Sequence, residues 1–232
     1  MKVKELFSQL TGFERVLWLA SMGLSVLAFC LSARDGAAFV NLANSLIGAT
    51  ALIFIAKGYV AGQVLMVLFS IIYGILSYWQ CYYGEMLTYM GMTLPIAVIT
   101  GLEWLKHPYR DTREVEVAPV TGRHILIIAL LTVPVTAGFG LLLWALNTAQ
   151  LGVSILSVAT SFFAASLTYL RSPYYPVGYA VNDLVLIVLW LAASMQDISC
   201  LPTLLCFIMF FFNDSYGFYS WRRMQRRQTA AA

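Results

Sequence analysis

The stretches NDLVLIVLW, residues 182–190, and NDSYGFYSW, residues 213–221, decide how this chain is read. Each sets an asparagine–aspartate pair, Asn182-Asp183 and Asn213-Asp214, inside a hydrophobic run long enough to cross a membrane. Each ends on a tryptophan seven residues past the aspartate, Trp190 and Trp221. A carboxylate at bilayer depth costs roughly 2.5–3.5 kcal/mol on insertion scales, so it reads as part of a pathway or a binding site. Seven residues make about two helical turns, which puts Asp183 on the face of Trp190 and Asp214 on that of Trp221. A carboxylate, an amide and an indole on one face suit an aromatic, hydroxylated solute better than a bare ion. The competing role for such pairs is to hydrogen-bond neighbouring helices and hold a bundle together.

Composition supplies the bundle. Of the 232 residues, 60% are hydrophobic and 11% charged, about half the charged share of soluble domains. Mean hydropathy is +0.78. A soluble domain of this size has no interior large enough for that much apolar surface. The polar start and the Ser32-Ala33-Arg34-Asp35 sequence after the first apolar run give no clear cleavage site, so that run reads as a retained helix. Eight spans follow from length and hydropathy: 16–33, 37–56, 59–79, 86–105, 124–146, 151–170, 178–195 and 200–221. The four cysteines, Cys30, Cys81, Cys200 and Cys206, form no C-x-x-C pair and read as buried thiols.

Charge placement orients the spans. With the N-terminus in the cytoplasm, 13 of the 14 lysines and arginines fall on that side, and only Arg34 falls outside. The short outer loops then carry Asp35, Glu85 and Asp197. The four arginines that close the chain, Arg222, Arg223, Arg226 and Arg227, suit contact with anionic lipid. The loop residues Tyr109 to Glu116 read as a solvated, mixed-sign linker.

Spans two to four and six to eight repeat a pattern. Their first helices carry polar stripes of one helix face, Asn41, Asn44 and Gly48 in one and Ser154, Ser157 and Ser161 in the other. Their third helices end as an aromatic followed by cations, Trp104-Leu105-Lys106 and Trp221-Arg222-Arg223. Three helices per copy and one linker helix give both copies the same orientation, a parallel repeat of the SWEET type. The expected fold is an all-α integral membrane protein of eight transmembrane helices, a three-one-three parallel repeat core plus one extra N-terminal helix. Its parts are residues 1–36, the extra helix; 37–105, the first triplet; 106–150, loop and linker helix; and 151–232, the second triplet and basic tail.

Other candidates for a solute site are Asn44, Thr93, Tyr73 and Tyr216, beside Asn182, Asp183, Trp190, Asn213 and Asp214. Thr93 stands two before Pro95, which frees a carbonyl and bends a helix. Tyr73 and Tyr216 lie deep enough to stack on a ring. Tyr174, Tyr175 and Tyr179 flank Pro173 and Pro176 and read as anchor and hinge. No phosphate-binding glycine loop, no G-x-S-x-G and no H-E-x-x-H occurs. His107 and His124 have no metal-like partner. The chain therefore reads as neither an enzyme nor an ATP-driven pump, with no cofactor and no nucleic-acid partner.

The run NDSYGFYSWRRM, residues 213–224, resembles the C-terminal signature of the PnuC family of bacterial vitamin transporters. The segments GEMLTYMGMTLP, 84–95, and WLKHPY, 104–109, are similar to that family's fourth span and its exit loop. The N-D pair of span seven and the ANSLIG of span two also fit, so the likeness runs from Asn41 to Met224. The Trp-x-x-Trp pattern of some nicotinamide riboside members is absent. The resemblance implies facilitated diffusion of nicotinamide riboside across a bacterial inner membrane, trapped by a cytosolic kinase that need not bind stably. Thiamine or riboflavin are the alternative cargoes, and a vitamin-binding subunit or receptor the alternative role. Self-association into a homo-oligomer stays open. The residues suit the implied cargo: Asp183 or Asp214 would balance a pyridinium charge, Asn182 and Asn213 would pair with amide or hydroxyls, and Trp190 or Tyr216 would stack on the ring.

Overall fold

In a computed structural model, which describes residues 7–31, 36–79, 83–148, 150–196 and 198–231, the apolar runs form eight helices of membrane-crossing length. They are α1 (Gly12–Leu31), α2 (Gly36–Ala56), α3 (Val60–Trp79), α4 (Tyr83–Lys106), α5 (Gly122–Ala145), α6 (Leu151–Tyr169), α7 (Tyr175–Gln196) and α8 (Leu201–Ala230). Arg34, Asp35 and Asp197, placed in outer loops above, and Cys81, read as a buried thiol, lie outside the described residues. Among the described residues no β-strand forms; two isolated bridges, Tyr59 to Glu114 and Pro108 to Val115, occur at the loop after α4.

Helices α1, α8 and α4 each depart from the sequence expectation for a local reason. Helix α1 begins at Gly12 rather than Val16 because Thr11 and Glu14 form a capping box. The Thr11 N–H donates to Glu14 Oε2 at 2.6 Å and the Glu14 N–H to Thr11 Oγ1 at 3.3 Å. Helix α8 continues to Ala230 because its end has a packing partner. Gln228 donates to the Val115 carbonyl at 3.1 Å and accepts from the Val117 N–H at 2.8 Å, and Arg227 pairs with Glu114. Val115 is 1% exposed, so the loop expected to be a solvated linker is in part a packed strap. Helix α4 widens to a π-turn over Tyr89–Thr93, closed by the Leu94 N–H donating to the Tyr89 carbonyl. Pro95 follows at once and has no N–H to restore the tighter ladder.

Helix α3 packs on α2 and α4, and α7 packs on α6 and α8, giving two three-helix units. The units meet where α2 lies on α8 and α4 lies on α6. The two remaining helices take equivalent outer places. Helix α1 packs on α2 and α8, whereas α5 packs on α6 and touches the first turns of α4.

The repeat is most exact at the ends of α2 and α6. Each closes in a Schellman turn whose C′ residue is left-handed, Gly58 at φ 69° and Arg171 at φ 56°. In the first turn the Tyr59 N–H donates to the Phe54 carbonyl at 2.9 Å and Gly58 to Ile55 at 2.8 Å; in the second, Ser172 donates to Leu167 and Arg171 to Thr168, both at 3.0 Å. The indole of Trp221 in α8 then donates to the Ile55 carbonyl at 2.9 Å. The indole of Trp104 in α4 donates to the Thr168 carbonyl at 3.1 Å. Each unit's last helix thus caps the other unit's first helix, and the two rings meet at 5.4 Å between centroids.

Replacing Trp221 by phenylalanine keeps most of the packing and removes the donor. The expected loss is about 0.5–1.5 kcal/mol, read as a lower unfolding midpoint of the detergent-solubilised protein. Trp104→Phe should cost a similar amount. Because the rings touch, the double variant should fall short of the sum; additive losses would mean that the two caps act independently.

Candidate functional site

Between the two units lies a cavity of about 60 Å³, room for a few water molecules in this closed arrangement. All six repeat helices wall it. Leu52 and Ile55 come from α2, Gln63, Met66 and Phe69 from α3, and Tyr89, Thr93, Ala97 and Thr100 from α4. Ser161 and Thr168 come from α6, Tyr175, Tyr179, Asn182 and Asp183 from α7, and Phe207, Phe210 and Asp214 from α8. Neither α1 nor α5 contributes a residue.

Aromatic layers close the cavity at both ends. Toward the face that carries the termini, Tyr175 packs edge-on to Trp221 at 4.9 Å, and Trp221 lies against Trp104. Toward the opposite face, Phe69 contacts Phe210 at 5.6 Å and stacks on Tyr73 at 5.6 Å, and Tyr73 meets Tyr89 at 4.4 Å. Gly48 of α2 permits this closure, since a Cβ there would stand 2.9 Å from both Phe69 and Phe210.

The lining is polar in a specific way. Asp183 and Asp214 are buried and their side chains interact directly with each other. Among the described residues no lysine or arginine lines the cavity. Three buried atoms on it have no hydrogen-bond partner in the protein: Asp183 Oδ2, Gln63 Nε2 and Thr100 Oγ1. Native structures satisfy nearly all buried polar groups, so a cluster of unsatisfied ones around a cavity marks where a ligand's polar groups would go. Asn182 is held in a fixed pose, its Oδ1 accepting from Thr160 Oγ1 at 2.8 Å and Ser161 Oγ at 2.9 Å. With Oδ1 so occupied, its amide nitrogen is what Asn182 can offer the cavity.

The residues singled out in the sequence fall into three groups. Asn182, Asp183, Asp214 and Thr93 line the cavity together. Thr93 also donates to the Thr88 carbonyl at 3.3 Å across the π-turn. Asn44 and Tyr73 line a separate, smaller pocket near the opposite face. Trp190, Asn213 and Tyr216 reach neither pocket. Trp190 is packed in the core with Leu186, Leu189 and Phe207. Asn213 turns outward and donates to Ser21 Oγ of α1 at 3.0 Å. Tyr216 donates to Glu14 Oε1 of α1 at 2.8 Å, on a carboxylate that also pairs with Lys57 at 3.2 Å.

Sequence reading missed Gln63, Thr100, Tyr89 and the cavity role of Tyr175 and Tyr179. A lone glutamine in an apolar run was the available signal. Gln63 sits near the start of the middle helix of its unit, as Asn182 does in the other. The rings on the cavity are tyrosine and phenylalanine, with no tryptophan among them.

Comparison with known proteins agrees with this architecture. The chain matches the model of the family described as Nicotinamide mononucleotide transporter over residues 38–223. It is 26% identical to the nicotinamide riboside transporter PnuC of Neisseria mucosa over 231 residues, covering 97% of this chain and 87% of that one. It is similar to the crystal structure of the vitamin B3 transporter PnuC, with a TM-score of 0.83 and 25% identity, over 97% of this chain and 96% of that one. The SWEET-like arrangement of two parallel triplets is consistent with that likeness. A match that begins with α2 and ends just past Trp221 takes in all six helices of the cavity, and the chain belongs to the nicotinamide mononucleotide transporter family of multi-pass membrane proteins.

Proposed function

We propose that this protein carries nicotinamide riboside across the bacterial inner membrane by facilitated diffusion, with both termini in the cytoplasm. The carrying observation is the pair Asp183 and Asp214, buried in a cavity that has no cationic side chain and is walled by both units. Two carboxyls in low dielectric without a counter-charge attract a cation. Nicotinamide riboside brings a pyridinium charge, a carboxamide and ribose hydroxyls. Asp183 and Asp214 face the charge. Asn182, Gln63, Thr93 and Thr100, which also line the cavity, would take the amide and hydroxyls. Tyr89, Tyr179 and the phenylalanines supply ring faces, each cation–π contact being worth about 0.5–2 kcal/mol.

Alternating access on this reading is a movement of residues 37–105 against residues 151–232. The π-turn and Pro95 in α4 provide a bendable point beside the cavity. The aromatic layers at the two ends open in turn. Helix α5 lies on the outer side of the second unit and joins the two in sequence rather than forming a pivot between them. Phosphorylation by a cytosolic kinase then traps the solute, because the charged product no longer fits a site lined by carboxyls. Thiamine, another cationic aromatic, satisfies the same charge argument. Riboflavin, larger and neutral, satisfies it less well.

The test is uptake of labelled nicotinamide riboside into liposomes that contain only this protein, with no proton or sodium gradient. Saturable uptake that stops at equal concentrations, competed by unlabelled substrate more strongly than by thiamine, is the expected result. No uptake by folded protein that still binds the solute would point to a receptor instead. Asp214→Asn and Asp183→Asn should each weaken nicotinamide riboside binding about tenfold or more, the loss of a charged hydrogen bond, while the unfolding midpoint holds or rises. A fall in stability with unchanged affinity would make the pair a structural tie.

A further inference from the structure

A groove of about 530 Å³, far roomier than the central cavity, opens on the outer side of the second unit. Helix α6 is its floor and α5 and α7 are its walls. Ile125 comes from α5, Phe163 and Leu167 from α6, and Val177 and Val181 from α7, with Val120 of the preceding loop at one end. The groove exists because α5 packs on α6 and on the first turns of α4 and leaves α7 uncovered. Its hydroxyls are engaged within the protein. Thr132 donates to the Ile128 carbonyl at 2.8 Å, Thr160 donates to Asn182 Oδ1 at 2.8 Å, and Ser172 Oγ accepts from the Tyr174 N–H at 3.2 Å. What the groove offers is apolar wall, with Ile125, Val177 and Val181 each about half exposed. It begins at Ser172 and Tyr174, at the face that carries the termini, and ends at Thr132 on α5 and Ala159 on α6. The eight residues from Leu167 to Ala159 span about 12 Å of helix, against about 15 Å for half of a bilayer's hydrocarbon core.

We propose that this groove holds one anionic phospholipid, with an acyl chain on Phe163, Val177 and Val181 and the phosphate at Arg222 and Tyr174. Among the described residues no charged side chain lines the groove itself, yet arginines gather at its surface end. Arg222 of α8 lies over the Tyr174 ring at 5.1 Å and donates to the Tyr174 hydroxyl at 3.0 Å through Nη1. The same nitrogen donates to Gln225 Oε1 at 2.7 Å, which leaves the other guanidinium donors for a headgroup. Arg123 stands two residues before Ile125, and Arg171 one before Ser172. Basic residues between helices at a membrane surface hold anionic headgroups, and a tyrosine at that level touches both the polar and the apolar part of a lipid. A helix from a second copy fits less well, because it would cross the whole bilayer and this groove ends near mid-depth. The inference stands apart from the transport reading and meets it at one point. Thr160, on the groove, holds the Asn182 that lines the central cavity, so the lipid backs that wall.

The experiment is native mass spectrometry of the purified, detergent-solubilised chain with dioleoyl phosphatidylglycerol or dioleoyl phosphatidylcholine added back in equal amounts, with the unfolding midpoint read beside it. One phosphatidylglycerol per chain should be retained at least about fivefold better than phosphatidylcholine, the worth of one arginine at an anionic headgroup, and should raise the midpoint. Arg222→Gln should lower the retention of phosphatidylglycerol about fivefold and leave that of phosphatidylcholine unchanged. Val181→Trp, which fills the groove, should abolish retention of both. If that variant does not fold, Val177→Trp nearer the mouth makes the same test. Equal retention of the two lipids by the wild type, or none of either, overturns the site. Retention that neither the tryptophan nor Arg222→Gln alters overturns it too, since the lipid would then sit elsewhere. A chain that runs as an oligomer until Val181→Trp separates it also overturns the lipid and makes a second copy the occupant.

Discussion

Two hydrogen bonds, Trp221 to the Ile55 carbonyl and Trp104 to the Thr168 carbonyl, set the relation between the halves of this protein. The last carbonyls of a helix have no partner within it, and in a bundle that lipid surrounds, water is a poor substitute. Here the Schellman turns supply one partner to each of these two carbonyls, and the indoles of the opposite units supply a second across the pseudo-twofold. The two units therefore cannot drift apart at that face without leaving two buried indole N–H groups short of an acceptor and separating the Trp104 and Trp221 rings. Everything between the aromatic layers takes its geometry from this closure: α2 is drawn onto α8, α4 onto α6, and the space left between them is the cavity.

The outer helices follow from the same symmetry. Helix α1 stands beside α2 and α8 as α5 stands beside α6 and α4, so residues outside the triplets shield equivalent seams from lipid. Their contacts differ in kind. Helix α5 presents leucines, valine and Trp144 outward and packs by shape. Helix α1 is fastened by polar contacts: Ser21 to Asn213, Trp18 to Thr50, and Glu14 to Lys57 and Tyr216. A salt bridge with one carboxylate 3% exposed and a lysine 13% exposed is costly to break from one side. That fastening explains why half of the second asparagine–aspartate motif faces away from the cavity.

The spans, their count and the two triplets were legible in the sequence because length, hydropathy and charge placement report directly on crossing a bilayer. The convergence of Asp183 and Asp214 was legible too, since few forces other than a site keep a carboxylate at that depth. The rest turned on angle. Neighbouring residues on a helix point about 100° apart, so an Asn-Asp pair need not face one partner. Asn182 and Asp183 both reach the cavity because α7 runs along its wall; Asn213 and Asp214 straddle α8, one turned to α1 and the other to the cavity. Trp190 shares the face of Asp183, but two turns along that face the cavity has ended and Leu186, Leu189 and Phe207 surround the ring. The hydroxyls of Thr93 and Thr168 bond to carbonyls of their own helix, at Thr88 and Ala164, so their polarity alone does not single them out. Gln63 and Thr100 carry no such disguise in the structure, yet in the sequence nothing separates them from any polar residue that a long apolar helix tolerates.

A cavity with two acids and no base is expensive to hold empty. Burying one carboxylate in low dielectric is costly, and placing a second against it adds repulsion that only a cation or a shared proton removes. On the proposed function an arriving cation would relieve that cost, and the relief would favour closure of the aromatic layers around it. Attraction alone would make a trap. The remaining lining consists of single amides, hydroxyls and ring faces, each contributing modestly. The arrangement concentrates its selectivity in one charge contact and spreads the rest over weak ones. On the proposed function, that distribution would let a carrier recognise a cationic aromatic solute and still release it when the opposite layer opens.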